Sequence, residues 1–260
     1  MYKNVSFVGG GRITRLLLKG LKRKNEIPEK ITVYDPDLKT HQSLKDLNID
    51  SLSVQEKNLG NIPADLVFLA VHPPVVKEAM QKLQNTLHPQ TILISLVPVI
   101  KTFALKQMAN GFERIVRMIP NATSIIGEGY NPVYFTDAIT LSEKSKLIHL
   151  FDQWGQSPEV DEEKLEAYAI LTAMGPTYFW FQWLELMRLG KEFGLDDAEI
   201  TSSLHKMLTA SSLLLFKSKY SSEEVLDLIP VRPLQEEEEN IQKMINHRLM
   251  GLYSKLTKNK

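Results

Sequence analysis

The sequence predicts an α/β chain: a parallel sheet with helices on both sides, followed by an all-helical part. Three observations carry this expectation. Short apolar runs alternate with amphipathic segments through about residue 150, a glycine turn separates the first run from the first helix, and beyond Ser142 only helical periodicity is left.

Val5-Ser6-Phe7-Val8 reads as a strand that stops at Gly9-Gly10-Gly11, after which Ile13, Leu16, Leu17 and Leu21 recur at helical spacing. Ile31-Thr32-Val33-Tyr34 is β-branched and aromatic and ends at Asp35-Pro36. With a helix between them, these two strands pair in parallel. Leu66-Val67-Phe68-Leu69-Ala70-Val71 stops at His72-Pro73-Pro74, ahead of an amphipathic helix over residues 75–87. Thr91-Ile92-Leu93-Ile94-Ser95-Leu96 is the near-continuous apolar run that a strand buried on both faces requires. A helix over residues 103–109 precedes Arg114-Ile115-Val116-Arg117-Met118, another strand. Ser142 is then placed as the cap of a helix ending at Gly155, and Asp161 as the cap of a long apolar segment interrupted at Gly175-Pro176 and resuming over residues 178–193. Asp196 caps residues 197–216, Ser221 with Glu224 forms a capping box, and residues 236–254 form the last helix. The change of pattern at Ser157-Pro158 divides a domain of residues 1–156 from one of residues 157–260.

Among 260 residues, 31 Lys and Arg balance 31 Asp and Glu, so no global field exists for nucleic acid or an anionic membrane surface. A small-molecule partner is the expectation. The absence of cysteine removes disulfides, thiolate nucleophiles and sulfur-bound zinc. The histidines include no i,i+4 pair, and neither G-x-S-x-G nor a Walker A sequence occurs, so no metal centre, hydrolase elbow or phosphate-binding P-loop is expected. The N-terminus shows no basic segment followed by an apolar one, which makes a cytoplasmic location the expectation. Residues 167–184 carry no charge, yet Gly175-Pro176, Thr172, Thr177 and Gln182 mark the segment as buried in protein rather than in lipid. The aromatic cluster Tyr178, Phe179, Trp180, Phe181 and Trp183 reads as core or subunit interface.

The charge balance conceals an asymmetry. Residues 1–156 hold 19 basic and 14 acidic side chains, and residues 157–260 hold 12 and 17. An anionic ligand is better placed on the first domain.

Gly9-Gly10-Gly11-Arg12-Ile13-Thr14 fits G-x-G-x-x-[small], follows a first strand and opens a helix. In that context Gly9 makes the tight turn and Gly11 lets the backbone approach a pyrophosphate at the helix N-terminus. Thr14 stands where glycine or alanine is commoner, and its branched side chain is expected to push helix and strand slightly apart. Asp35 lies 35 − 11 = 24 residues beyond Gly11, near the interval of the acid that accepts ribose hydroxyls. It reads either as that acid, favouring NAD over NADP, or as the start of an Asp-Pro turn. His72, at a strand end, reads either as a cofactor contact or as a turn residue.

These residues carry a family likeness. The glycine loop, then Leu69-Ala70-Val71-His72-Pro73, then Arg117-Met118-Ile119-Pro120-Asn121 with Gly127-Glu128-Gly129, then Gly175-Pro176-Thr177-Tyr178 resemble, in order, the signatures of pyrroline-5-carboxylate reductases. The resemblance implies a dinucleotide-binding Rossmann domain and a helical domain through which subunits dimerise. It also implies hydride transfer from NADH or NADPH to a cyclic imine, as in proline synthesis. Gly9, Gly11, Arg12 and Ile13 match the pyrophosphate loop, and Ala70, Val71, His72 and Pro73 the nicotinamide segment, with histidine in place of lysine. Asn58 matches an asparagine near the adenosine. Asn121, Thr172, Gly175 and Thr177 match positions at the substrate.

The family loop that holds the substrate carboxylate corresponds here to residues 227–236, where both glycines and every threonine of the family loop are absent and Pro230, Pro233 and Glu236 stand instead. Arg232 reads as a replacement clamp or as an exposed loop residue. Two other classes stay open: a non-catalytic NAD(P)-binding dimer acting as sensor, and a structural protein with its long apolar helices as interface. A deazaflavin-dependent NADP reductase would share the N-terminal half but not the helical signature.

Overall fold

Apolar residues crowd the central strands because helices cover both faces of the sheet. A computed structural model describes residues 2–56 and 64–258. Its 7-stranded sheet has the order β3-β2-β1-β4-β5-β6-β8. These strands are β1 (Asn4–Val8), β2 (Lys30–Tyr34), β3 (Leu52–Gln55), β4 (Leu66–Leu69), β5 (Ile92–Ser95), β6 (Ile115–Met118) and β8 (Val133–Phe135). Only the β6–β8 pairing among them is antiparallel. From β1 the chain runs outward to β2 and β3, then returns to β4 on the other side. The order therefore reverses at β1, and a crevice opens at the carboxyl ends of β1 and β4.

Successive residues of a strand face opposite sides, and the two cores follow from it. Phe7 and Phe68 point to the side covered by α1 (Arg12–Lys24) and α5 (Leu141–Phe151), packed with Leu17, Leu21 and Trp154. Val67 and Leu69 point to the side covered by α3 (Val76–Leu83) and α4 (Thr102–Met108), against Met80, Leu83 and Leu105. The Phe7 and Phe68 rings stack at 4.6 Å and Trp154 meets Phe68 edge-on at 6.0 Å. The indole N–H of Trp154 donates to Leu17 O at 2.9 Å.

Several boundaries differ from expectation. The cap of α5 is Thr140 rather than Ser142, because Thr140 and Glu143 exchange both bonds of a capping box, whereas three residues beyond Ser142 stands Ser145, which has no carboxylate to return. That helix ends at Phe151, before Gly155. Asp161 makes no side-chain cap bond; it pairs with Lys164 at 2.6 Å. The apolar segment after it is not one helix but a 3₁₀ turn Glu162–Lys164, α6 (Leu165–Tyr168), a π turn Ala169–Ala173 and a 3₁₀ turn Gly175–Tyr178. The remaining elements are α2 (Leu38–Lys45) and a parallel pair of short strands, β7 (Gly129–Tyr130) and β9 (Gly155–Gln156).

Packing divides the chain into two units, Met1–Met174 with Tyr253–Lys260, and Gly175–Leu252. The turn to all-helical structure near residue 157 and the division of packing are thus separate events. Leu165 and Ala169 pack on Ile119, just past β6, which keeps residues 157–174 with the sheet. The second unit contains α7 (Trp180–Glu192), α8 (Asp197–Lys217), α9 (Ser222–Asp227) and most of α10 (Gln235–Thr257). Asp196 with Glu199 and Ser221 with Glu224 form capping boxes for α8 and α9. Ile200, against Gly190, is the unit's one buried large hydrophobic among the described residues. No described helix is long and apolar enough to cross a membrane.

Candidate functional site

The turn after β1 is laced to its neighbours by backbone. Gly9 N donates to Tyr34 O at 2.8 Å, and Ala70 N donates to Val8 O at 2.8 Å. Gly9 has φ +99°, and a Cβ built there would lie 2.5 Å from Ala70 O. Only glycine fits. Gly11 differs: its φ of −62° is open to any residue, and a Cβ built there meets nothing within 4 Å. Its hydrogen leaves open ground against the first turn of α1. No side chain caps that turn and none of its residues is acidic, so the positive end of the helix is offered to an anion. Arg12 is exposed beside it, and Ile13 anchors the turn to the core.

Thr14 does not splay the helix from the strand. It is fully buried and its hydroxyl donates to Gly9 O at 2.6 Å, so the branched side chain closes the loop it was expected to disturb. Thr14→Val strands that buried carbonyl and is expected to cost about 1–3 kcal/mol of unfolding free energy in urea titration.

Asp35 serves the turn and keeps capacity beyond it. Oδ2 accepts from Gly10 N at 2.7 Å and Oδ1 from Asp37 N at 2.8 Å. Each carboxylate oxygen has a second lone pair, so the ribose-acid and turn readings are compatible. Asp37 caps α2, accepting from Lys39 N at 3.0 Å, and places a second carboxylate at this corner. Across the crevice, half-buried Ala70 faces Gly9, Val71 Cγ1 comes within 3.1 Å of the built Gly9 Cβ, and exposed His72 precedes a 3₁₀ turn that begins at Pro73. Asn58 lies outside the described residues. Among the described residues no His, Asp or Glu cluster could hold a metal ion.

Beyond β5 and β6, a buried charge network organises the crevice edge. The Arg117 guanidinium, on a wholly buried strand, donates to Glu162 Oε1 at 3.1 Å and Glu166 Oε1 at 2.7 Å. Glu162 also accepts from Thr102 N at 2.7 Å, and Glu166 from Val99 N at 3.1 Å. Val99 has φ +75°, a strained conformation for a branched residue, held by this bond. In the sequence Arg117 stands only within a motif, and the network is not apparent there. The available signal was an arginine inside an apolar strand together with two glutamates four residues apart.

The residues expected at the substrate are divided between the two units. Asn121 and Thr172 meet directly: the Asn121 amide donates to Thr172 O, while its Oδ1 accepts from Thr123 N at 2.8 Å and Thr123 Oγ1 at 2.6 Å. Thr172 Oγ1 donates to Tyr168 O at 2.8 Å. Both side chains are therefore engaged within the first unit. Gly175 and Thr177 open the second unit. In the exposed segment 227–236, the Arg232 guanidinium is held by Glu238.

Residues 4–98 match the family described as NADP oxidoreductase, coenzyme F420-dependent. The pyrroline-5-carboxylate reductase of Corynebacterium melassecola is 25% identical over 197 residues, 75% of this chain and 73% of that protein. That of Haemophilus influenzae is 28% identical over 189 residues, covering 72% and 68%. The pyrroline carboxylate reductase of Plasmodium falciparum, solved with NADP bound, superposes with a TM-score of 0.82 at 20% identity, covering 99% of this chain and 98% of that one. The 1-pyrroline-5-carboxylate reductase of Streptococcus pyogenes gives a TM-score of 0.81 at 18% identity and the same coverage. In sequence along about three quarters of its length, and in fold along nearly all of it, this chain is similar to the pyrroline-5-carboxylate reductases.

Proposed function

We propose that this chain is an NAD(P)H-dependent reductase that reduces a small cyclic imine of the pyrroline-5-carboxylate kind and works as a homodimer. The observation that carries the reading is the open ground at Gly11, facing an uncapped helix terminus at the point where strand order reverses. Gly9, Gly11, Arg12 and Ile13 hold the pyrophosphate there, Asp35 accepts the ribose hydroxyls, and Ala70, Val71, His72 and Pro73 line the nicotinamide half. When bound, the nicotinamide supplies the hydride. The chain supplies position: its backbone fixes the dinucleotide, and the Arg117 network holds the loop after β5 and the helix after Glu162 at the reacting end.

Asp35 and Asp37 favour NAD. A carboxylate about 4 Å from a 2′-phosphate meets roughly 4 kcal/mol of repulsion per charge pair at an effective dielectric near 20. The Plasmodium relative binds NADP, so a preference for NAD would distinguish the two. Oxidation of NADH and NADPH, followed by the loss of their absorbance, with pyrroline-5-carboxylate and other cyclic imines tests both points. Turnover with lower KM for NADH is expected, and failure to bind either cofactor at millimolar concentration overturns the reading.

The non-catalytic sensor is the second reading, favoured by the exposed segment 227–236 and by Arg232 being held by Glu238 rather than left to a substrate. It predicts saturable cofactor binding without turnover. The dimer is supported by the second unit, where Phe181 and Leu184 of α7, Phe216 of α8 and Met244 of α10 are exposed. So much apolar surface calls for a second copy, and sedimentation velocity should find no monomer at micromolar concentration.

A further inference from the structure

One pair of side chains at the crevice edge has chemistry the proposed function does not yet use. If Asp35 receives the ribose, strand order carries the opposite end of the dinucleotide toward β5 and β6. Because β8 runs antiparallel to β6 with Met118 opposite Val133, the residues before β8 project past the carboxyl end of β6. Ile119 N donates to Pro132 O at 3.0 Å and Asn121 N to Asn131 Oδ1 at 2.8 Å. Tyr130 is therefore at the ligand edge. Tyr168 reaches the same edge from another direction: Glu166, two residues before it, is bound to Val99 N past β5 and to Arg117 on β6.

The two rings meet with centroids 5.9 Å apart. Both residues are partly exposed. Tyr168 immediately precedes the π turn, a backbone irregularity that recurs at functional sites. Two phenols bring two O–H donors to one place. Partial exposure leaves them open to an outside acceptor. Burial, and after it the neighbouring Tyr168, raises the Tyr130 pKa.

We infer that the Tyr130–Tyr168 hydroxyl pair recognises the carboxylate of the substrate, donating to one of its oxygens over the ends of β5 and β6. The inference rests on the reductase reading above. It assigns a donor for an anionic group in a chain whose segment 227–236 offers Pro230, Pro233 and Glu236 instead of amides and hydroxyls. No bond to the carboxylate is made or broken, so the pair acts on binding and specificity.

The test compares wild type with Tyr130→Phe, Tyr168→Phe and the double variant, on pyrroline-5-carboxylate and on 1-pyrroline, which lacks the carboxylate. The ratio of kcat/KM for the first substrate over the second is expected to fall about 10- to 100-fold in the double variant, mainly through KM. Cofactor Kd, measured alongside, reports that the variants are folded. A ratio within about twofold of wild type, or an equal loss on both imines, overturns the inference alone. Wild-type protein that binds cofactor but turns over neither imine overturns the reductase reading and this inference with it.

Discussion

Gly11→Val is expected to weaken NADH and NADPH binding at least 100-fold, or about 2.7 kcal/mol, in calorimetric titration, while the protein stays folded. The expectation comes from two glycines of one loop that do different work. At Gly9 the backbone lies at φ +99° and a Cβ would press on Ala70 O, so its role is in the fold. At Gly11 the backbone is ordinary and nothing lies within 4 Å of a built Cβ. A valine there has room in the free protein and costs about 1 kcal/mol at most as a poorer N-cap than glycine. It does, however, occupy the ground over the helix terminus that a pyrophosphate needs. Unchanged cofactor affinity in Gly11→Val would remove the open ground from the account of this site. Gly9→Ala is the contrasting case: it should lower the unfolding midpoint whether or not cofactor is present.

Arg117→Met is the substitution expected to cost most in stability, about 3–5 kcal/mol in denaturant titration. The penalty comes less from losing two attractions than from leaving Glu162 and Glu166, with side chains 11% and 5% exposed, without their cation. Adding Glu162→Gln and Glu166→Gln to Arg117→Met removes the stranded charge and should recover part of the loss. No recovery would mean that the arginine's packing, rather than its charge, carries the effect. Thr102 donates to Glu162 through both its N and its Oγ1, and Val99 N donates to Glu166 Oε1, which predicts a further sign: the single variant should loosen the loop after β5, seen as faster amide exchange at Val99.

The parts of this chain legible in the sequence are those whose signals are local. The strands at Val5 and Leu66 show themselves because a doubly covered strand must be apolar throughout, and the glycine loop does so because turn chemistry is written in adjacent residues. Asp196 and Ser221 were found as caps for the same reason. What escaped was non-local or irregular. Arg117 and Glu166 are 49 residues apart, and nothing in either neighbourhood announces the other. The Thr14 hydroxyl reads as steric trouble until its acceptor at Gly9 is seen. Asn121 is expected at the substrate, and nothing near it in the sequence announces that its amide donates to Thr172 O, 51 residues away. The edge strand β3, alternately half-buried and exposed, carries too short a pattern to stand out.

The positions of the tryptophans give this protein optical reporters of its own. Trp154 is fully buried between Phe68 and Phe151, with its indole N–H engaged by Leu17 O. Its fluorescence should stay blue-shifted as long as the sheet-bearing unit is folded. Trp180, 44% exposed on the apolar helix α7 of the other unit, instead senses whether that helix is in water. If the proposed dimer covers this surface, dilution that uncovers it would shift the emission of Trp180 to the red before that of Trp154 changes, so the light emitted can separate loss of a neighbour from loss of the fold.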